Sequence, residues 1–375
     1  MWTPFVNGCC NEPRILAKAE TQVNEFFGYC AASLTAAGAA PTIAPFFSAR
    51  VSPVTHDALY ALIADDMRAV DAVIRRRLHS DVVLVRQVAE YIVAGGGKRM
   101  RPALVLLAAG AMGYRGNQHH ELAAVVEFIH TATLLHDDVV DASDLRRGRE
   151  TANALFGNAS SVLVGDFLYS RAFQMMVAVG NMRIMAVLAD ATNTIAEGEV
   201  LQLMNCHNAD IGVDDYLQVI HYKTAKLFEA AGRLGAIVGA ADDAIETGLA
   251  NYGTHLGTAF QLIDDVLDYS GDEAETGKHL GDDLAEGKPT LPLIHAMRHG
   301  TPAQSACVRH AIEEGGRDQF TDVLAAVRAT GALDAARAQA EAEAAAAIAA
   351  LNVLPASIYK DALIQLSSFA VDRRY

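Results

Sequence analysis

The stretch Glu127-Phe-Ile-His-Thr-Ala-Thr-Leu-Leu-His-Asp-Asp-Val-Val-Asp-Ala-Ser-Asp-Leu-Arg-Arg147 decides the fold. It is an apolar run into which a row of carboxylates is set, followed at once by two arginines. Coiled as an α-helix, it places Glu127, His130, Asp137 and Asp141 at steps of three, seven and four residues, within one narrow stripe. The rest of the circumference is Leu, Val, Ile, Phe and Ala. A helix apolar on most sides is a buried one, and unpaired buried carboxylates are too costly to keep. The acidic stripe must therefore face a partner charge or a wet cavity.

A second stretch repeats the pattern. In Gln261-Leu-Ile-Asp-Asp-Val-Leu-Asp268, Asp264 and Asp268 are again four apart, and Gln261 stands one turn earlier on the same face. Either cluster alone also fits a solvated helix face. The pair, each in an apolar helical setting and each followed by basic residues, fits two walls of one cavity that share hard cations. Oxygen-only ligands select Mg²⁺ or Mn²⁺ over zinc.

Convergence of the two clusters favours one large helical domain, residues 54–375, although 375 residues exceed the usual single-core size. With 51% apolar residues a core is ample, and the net charge of −15 argues against a nucleic-acid partner and suits a site that recruits cations. The five cysteines (Cys9, Cys10, Cys30, Cys206, Cys307) are odd in number and lack metal-ligand spacing or a compact disulfide framework, which points to a reduced, cytoplasmic chain. No apolar run is read as reaching the roughly 18 residues that cross a bilayer, so a soluble or at most peripheral protein is expected. Residues 1–53, rich in Gly, Pro, Cys, Ser, Thr and Ala without a sustained period, are expected to form a flexible extension. They show no basic n-region leading into a clear h-region, so no signal peptide is read there.

From about Val54 the texture is helical, and no strand-like alternation survives over a useful length; the expected fold class is all-α. Gly95-Gly96-Gly97 ends one helix and Lys98-Arg99-Met100-Arg101-Pro102 opens the next. Glycines followed by cations at a helix start fit a phosphate cradle, or simply a basic cap. Arg146-Arg147-Gly148-Arg149 gathers positive charge just after the carboxylates, which a bare surface would disfavour and an intervening diphosphate would satisfy. Gly165-Asp166 is read as the start of a helix whose Phe173, Met175 and Met176 fit either ordinary core or a tunnel wall. His136, beside the first cluster, reads as a core or supporting residue. A further helix spans 184–204. In Tyr216–Leu234, Lys223 and Thr224 are placed to reach a central cavity. The Gly-rich charged loop after the second cluster, with Lys278 and Lys288, fits a lid over an anion or an exposed connector. Ala332–Leu351 reads as a thin helix packed on the bundle.

Taken in order, Gly-Gly-Gly-Lys-Arg-x-Arg-Pro, Ile-His-Thr-Ala-x-Leu-x-His-Asp-Asp-x-x-Asp, Leu-Arg-Arg-Gly, Lys-Thr, Gln-Leu-Ile-Asp-Asp-x-x-Asp and Gly-Lys-x-x-Gly-Asp-Asp-x-x-Glu-Gly-Lys-x-Thr-Leu-Pro resemble the trans-polyprenyl diphosphate synthases from about residue 54 to the C-terminus. Within them, Thr-Ala-Asn-Ala-x-Phe-Gly-Asn-Ala at 151–159 and Ile-Ala-Glu-Gly-Glu-Val-Leu-Gln-Leu-Met-Asn at 195–205 are most similar to the bacterial octaprenyl branch. The resemblance implies an antiparallel helical bundle of the isoprenoid synthase type around a central cavity, and a homodimer. It implies head-to-tail condensation of isopentenyl diphosphate onto an allylic diphosphate, with farnesyl diphosphate as the expected primer, a long all-trans product of about octaprenyl length for quinone side chains, and peripheral membrane contact on product release. Carried over by position, Asp137, Asp141, Asp264 and Asp268 bind Mg²⁺, the last through water. Arg146, Lys223, Thr224, Gln261 and Lys278 hold the allylic diphosphate, and Lys98, Arg101, His130 and Arg147 hold isopentenyl diphosphate. Asp137, Asp141, Arg146 and Lys223 carry the catalysis. Product length falls to the small Ala132 and Thr133 ahead of Asp137, with Phe173, Met175 and Met176 as lower stops.

Three rivals fit less well. A class I terpene cyclase usually replaces the second Asp-rich cluster with an Asn/Ser/Glu triad and lacks the isopentenyl site, whereas Asp264–Asp268 and Lys98–Arg101 are both present. A non-catalytic synthase subunit requires lost carboxylates. An HD-type phosphohydrolase, suggested by His136-Asp137, needs further histidine spacing that is missing.

Overall fold

The 3.6-residue period of the apolar positions is realised as helix almost throughout the computed structural model, which describes residues 56–270, 280–315 and 317–373. The extension expected at 1–53 and the lid residue Lys278 lie outside the described residues. Pro53–Tyr375 forms one unit. It begins with α1 (His56–Leu62), α2 (Ala64–Arg77), α3 (Val83–Ala94) and α4 (Met100–Ala111). Residues Pro102 to Ala109 of α4 are apolar on every side and wholly buried, which makes it a central helix. The first carboxylate cluster ends α5 (Gln118–Val140). Then follow α6 (Ala152–Phe156), α7 (Asn158–Val179), α8 (Met182–Asn205), α9 (Val213–Ile220), a π-helical turn at His221–Ala225, and α10 (Lys226–Val238). The second cluster closes α11 (Asp243–Ser270), after which come α12 (Asp282–Ala285), α13 (Leu291–His299), α14 (Pro302–Glu314), α15 (Phe320–Ala329), α16 (Ala332–Ala350) and α17 (Ile358–Asp372).

The most extensive packings join α5 to α7, α10 to α4 and α11, and α11 to α16. The last follows from composition: α16 lays Ala336, Ala340, Ala344 and Ala347, spaced by helical turns and all buried, against the bundle as a thin helix. Phe128 on α5, Phe228 on α10 and Tyr252 on α11 are fully buried, and burial of such a side chain is worth roughly 1.5–3 kcal/mol. These contacts hold the two cluster-bearing helices in one core.

Three features depart from expectation. The helix expected to start at Gly165 starts at Asn158, and Gly165 lies inside it, its bare face against the His136 ring, where a Cβ would stand 2.3 Å from Nε2. His136 is accordingly not core: it lies half-exposed between α5 and α7, 3.4 Å from Asp166. The glycine marks a helix crossing, not a helix end. Next, Leu145–Arg146 and Arg149–Glu150 pair as a two-residue antiparallel ladder, turned by Arg147 and Gly148 at φ 55° and 70°. Two left-handed central residues are the signature of a tight hairpin. Last, α7 is long and apolar enough, by length and composition, to cross a membrane, with a mean hydropathy of 1.3 and 33% of its apolar window buried. That corrects the expectation that no run qualifies: Asp166 and Arg171 interrupt the helix without outweighing its Val, Leu, Met and Phe.

Candidate active site

The first cluster splits its three aspartates between two tasks. Asp137 and Asp141 share one face, 16% and 17% exposed, and each meets an ammonium: Lys223 Nζ lies 3.7 Å from Asp137 Oδ2 and Lys288 Nζ 3.1 Å from Asp141 Oδ2. Asp138, one residue and about 100° round the helix, is wholly buried and takes the Arg146 Nε and Nη2 donors at 2.7 and 2.6 Å on one carboxylate oxygen. That pairing holds the Arg146 guanidinium above its usual range despite burial. The hairpin thus fixes its first arginine to α5 and turns its second away.

Arg147 goes to the opposite wall. Its guanidinium packs over Gly97, where a Cβ would lie 2.8 Å from it, so the glycine run is the floor on which an arginine rests. Arg101 is buried beside it with its Cζ 4.3 Å from the Phe228 ring centroid, and burial lowers its pKa to about 10. His130 is held well below the usual imidazole range by burial and by the charges of Arg101, Arg147, Arg146 and Arg99. Lys98 adjoins them, its carbonyl accepting from Tyr60 Oη. One nearby carboxylate, Glu127, is taken by Arg99 at 3.0 Å. A neutral histidine among four guanidinium groups is a basin for an anion of high charge. A cavity of about 520 Å³ opens here, lined by Tyr91, Gly96, Glu127, Arg146 and Arg147.

The second half of the site hangs on the π turn. Lys223 leans on Asp137 and on Glu199 at 2.6 Å, while Thr224 Oγ1 donates to Gln261 Oε1 at 3.0 Å. Gln261 in turn donates to Asp265 at 2.9 Å, and Tyr216 Oη donates to the other Asp265 oxygen at 2.5 Å. Asp265 repeats the role of Asp138: it is the buried middle aspartate, its pKa raised by burial. Asp264 is 42% exposed and meets Arg373 Nη1 at 3.0 Å. Asp268 accepts the backbone N–H groups of Asp282 and Asp283 at 3.2 and 3.3 Å, so it ties down the loop that returns Lys288 to Asp141. A second cavity, about 550 Å³, is lined by Lys223, Thr224, Gln261, Asp265 and Lys288. Of the length-determining candidates, Ala132, Met175 and Met176 are buried in the core and Phe173 packs against it. Thr133 Oγ1 donates to the His130 carbonyl at 2.8 Å. Neither cavity is lined by any of the five.

A family model described as polyprenyl synthetase matches residues 82–329. The chain belongs to that family. It is 57% identical over 313 residues to octaprenyl diphosphate synthase of Escherichia coli (strain K12), covering 83% of this chain and 97% of the relative. It is 48% identical over 316 residues to the geranyl-diphosphate-specific all-trans-nonaprenyl-diphosphate synthase of Rhodobacter capsulatus, covering 84% and 97%. Among solved structures, a polyprenyl synthase from Caulobacter crescentus CB15, complexed with calcium and isoprenyl diphosphate, superposes with a TM-score of 0.83 at 45% identity, over 86% of this chain and 98% of that one. The all-α architecture is that of the isoprenoid synthases, to which the family belongs.

Seen against the family's site, the geometry adds residues that motif spacing does not single out: Asp138 and Asp265 as buried anchors, Glu199 beside Lys223, and Glu286 beside Lys288. Burial and the neighbouring carboxylates push Glu199 up to about 7, with Asp137 and Asp141 contributing, and Glu286 likewise to about 7, with Asp141 contributing. Glu199 and Glu286 crowded against Asp137 and Asp141, with Lys223 and Lys288 between them, make an all-oxygen donor set fitted to a hard divalent cation. The Asp66, His119 and His120 cluster is a different place. His120 lies seventeen residues before Asp137 on the same helix, about 26 Å along its axis.

The anchor assignment is checked by stability. Asp138→Ala leaves the Arg146 guanidinium without its carboxylate and is expected to cost about 3–5 kcal/mol in denaturant unfolding. Asp210→Ala, which removes an exposed ion pair with Arg309, is expected to leave the unfolding midpoint essentially unchanged.

Proposed function

We propose that the chain is a Mg²⁺-dependent prenyltransferase that condenses isopentenyl diphosphate head-to-tail with an allylic diphosphate, farnesyl diphosphate serving as primer, to an all-trans product of octaprenyl length for quinone side chains. What supports this is a pair of cavities lined by cations, one by Arg146, Arg147 and Arg149, the other by Lys223 and Lys288 with Thr224 and Gln261. Two diphosphates are what two such cavities accept. Lys98, Arg101, His130 and Arg147 hold isopentenyl diphosphate, and Arg146, Lys223, Thr224 and Gln261 hold the allylic diphosphate, joined by Lys278, which lies outside the described residues. Asp137, Asp141, Asp264 and Asp268 would hold Mg²⁺, which when bound would supply positive charge against the leaving diphosphate.

The chain's own groups do the rest. Scission of the allylic carbon–oxygen bond leaves a carbocation and a diphosphate of higher charge, so Arg146 and Lys223 bind the departing group more strongly than the intact ester, which is what lowers the barrier. The apolar flanks of α4 and α5 keep water from the cation, and the double bond of isopentenyl diphosphate attacks it. The departed diphosphate accepts the final proton, so no side-chain base is needed.

The growing tail runs past Ala132 and Thr133 towards Phe173, Met175 and Met176. Because these stand in or against closed packing, the tail advances by displacing side chains, and pliable methionines suit that role. A homodimer is supported by the apolar residues that α7 and α8 leave in solvent: Leu163, Val177, Met182, Val200, Leu203 and Met204 are 58–77% exposed. A surface of that kind on neighbouring helices is one that a second copy covers. The enzyme acts in the cytoplasm and meets the membrane peripherally when the product leaves.

With Mg²⁺, labelled isopentenyl diphosphate and farnesyl diphosphate, the dephosphorylated product is expected to run with octaprenol on chromatography; a short-chain or cyclised product would refute the assignment. Asp137→Ala is expected to lower condensation at least about 100-fold with an unchanged circular dichroism spectrum, and near-normal turnover would refute the metal role. Met176→Ala is expected to lengthen the product and to cost about 2–5 kcal/mol of stability. Leu203→Glu is expected to shift the protein from dimer to monomer in size-exclusion chromatography with light scattering.

A further inference from the structure

Lys288 reaches Asp141 from a loop that is gripped from behind by one histidine. His207, just past the end of α8, has φ 61°, a left-handed conformation that a residue other than glycine keeps only where its surroundings enforce it. Its backbone N–H donates to the Gly287 carbonyl at 2.8 Å. On the other side its ring Nδ1 lies 3.1 Å from the Ile312 carbonyl in α14; a carbonyl only accepts, so Nδ1 carries the proton. The ring also fills the room that two glycines leave. A Cβ on Gly287 would lie 2.4 Å from its Nδ1, and one on Gly315 would lie 2.9 Å from its Cε1. Both glycines have positive φ, 67° and 70°, so neither position readily takes another residue.

What the grip delivers is the next residue. The Lys288 N–H donates to the Asp283 carbonyl at 2.8 Å, and its side chain, 14% exposed, runs inward to Asp141 and Glu286. A flexible four-carbon chain holds a position only if its backbone is fixed, and here, beside the Asp283 bond, the His207 N–H holds the Gly287 carbonyl while its ring, wedged against Gly287 and Gly315, ties it to α14. We propose that His207 is a positioning residue: it clamps the Gly287–Lys288 peptide and so holds the Lys288 ammonium over Asp141, where it meets the diphosphate of the allylic substrate. This rests on the assignment of that cavity to the allylic diphosphate. Nothing in the motif pattern marks His207, which stands outside every cluster.

The consequence is selective. Loosening the clamp weakens the substrate that Lys288 touches and spares the one bound by Arg101, Arg147 and His130. In the full-length enzyme His207→Ala is expected to raise KM for farnesyl diphosphate about 10-fold, the loss of one hydrogen bond to a charged partner, and to leave KM for isopentenyl diphosphate within about twofold. His207→Asn, which tolerates positive φ and offers an amide donor towards Ile312, is expected to return within about twofold of wild type. The deciding comparison is the double variant: in a Lys288→Ala background His207→Ala adds nothing, because its effect passes through the ammonium. An equal rise in both KM values, or an undiminished effect on top of Lys288→Ala, overturns the proposal. Where His207→Ala does not accumulate folded, His207→Gly, which removes the ring but accepts the backbone conformation, carries the same comparison. Calorimetric binding of inorganic pyrophosphate with Mg²⁺ reads the same coupling without turnover. A chain that shows the coupling in pyrophosphate binding yet makes no polyprenyl product sinks the proposed function and leaves the clamp standing; one that binds pyrophosphate without the coupling sinks the clamp.

Discussion

Two neighbouring residues of one π-helical turn, Lys223 and Thr224, tie the carboxylate helices together. Lys223 leans on Asp137 at the end of α5 while Thr224 donates to Gln261, one turn before Asp264 on α11. A regular α-helix turns successive side chains by about 100°, and the wider π turn alters that angle at the point where both partners must be reached. The turn is open to a close neighbour as well. Gly198 on α8 comes so near that a Cβ would lie 2.7 Å from the Lys223 nitrogen, and the next residue, Glu199, faces the Lys223 ammonium. Three helices therefore meet the π turn, through Asp137, Gln261, Gly198 and Glu199.

Each cluster obeys the same division of labour. In each cluster the middle aspartate is buried and holds a neighbouring polar side chain, Arg146 on Asp138 and Gln261 on Asp265, while the outer aspartates meet Lys223, Lys288, Arg373 and the backbone of Asp282 and Asp283. Successive helix positions point about 100° apart, so neighbours in a cluster take different partners. The cost of burying a carboxylate is met differently at the two positions. Asp138 has a guanidinium, whereas Asp265 has only neutral donors and accordingly resists ionisation.

What could be read from the residues alone was periodic. The apolar stripes placed the helices, the four-residue steps placed Asp137 with Asp141 and Asp264 with Asp268, and the ordered motifs carried the family. What escaped was contact between elements remote in sequence. Gly165 reads as a helix boundary because glycine usually ends helices, but here it admits the His136 ring where α5 crosses α7. The Arg146–Arg149 hairpin is too short to show alternation, and the apolar length of α7 is masked in the sequence by Asp166 and Arg171, which interrupt it. The π turn has no periodic mark at all, since one extra residue in a helix shifts the pattern by less than the irregularity of the pattern itself. The middle aspartates, about 100° round the helix from their neighbours, point at partners that only the folded chain brings near.

The buried anchors bear on how such a catalyst repeats itself. Since Asp138 and Asp265 hold Arg146 and Gln261 through contacts within the protein itself, the cradle does not have to be rebuilt by each incoming molecule. Pyrophosphate can depart between successive additions while the walls keep their shape, and the lengthened chain can be rebound without a fresh ordering penalty. Iteration is therefore supported by two buried carboxylates whose task is to keep their neighbours in place.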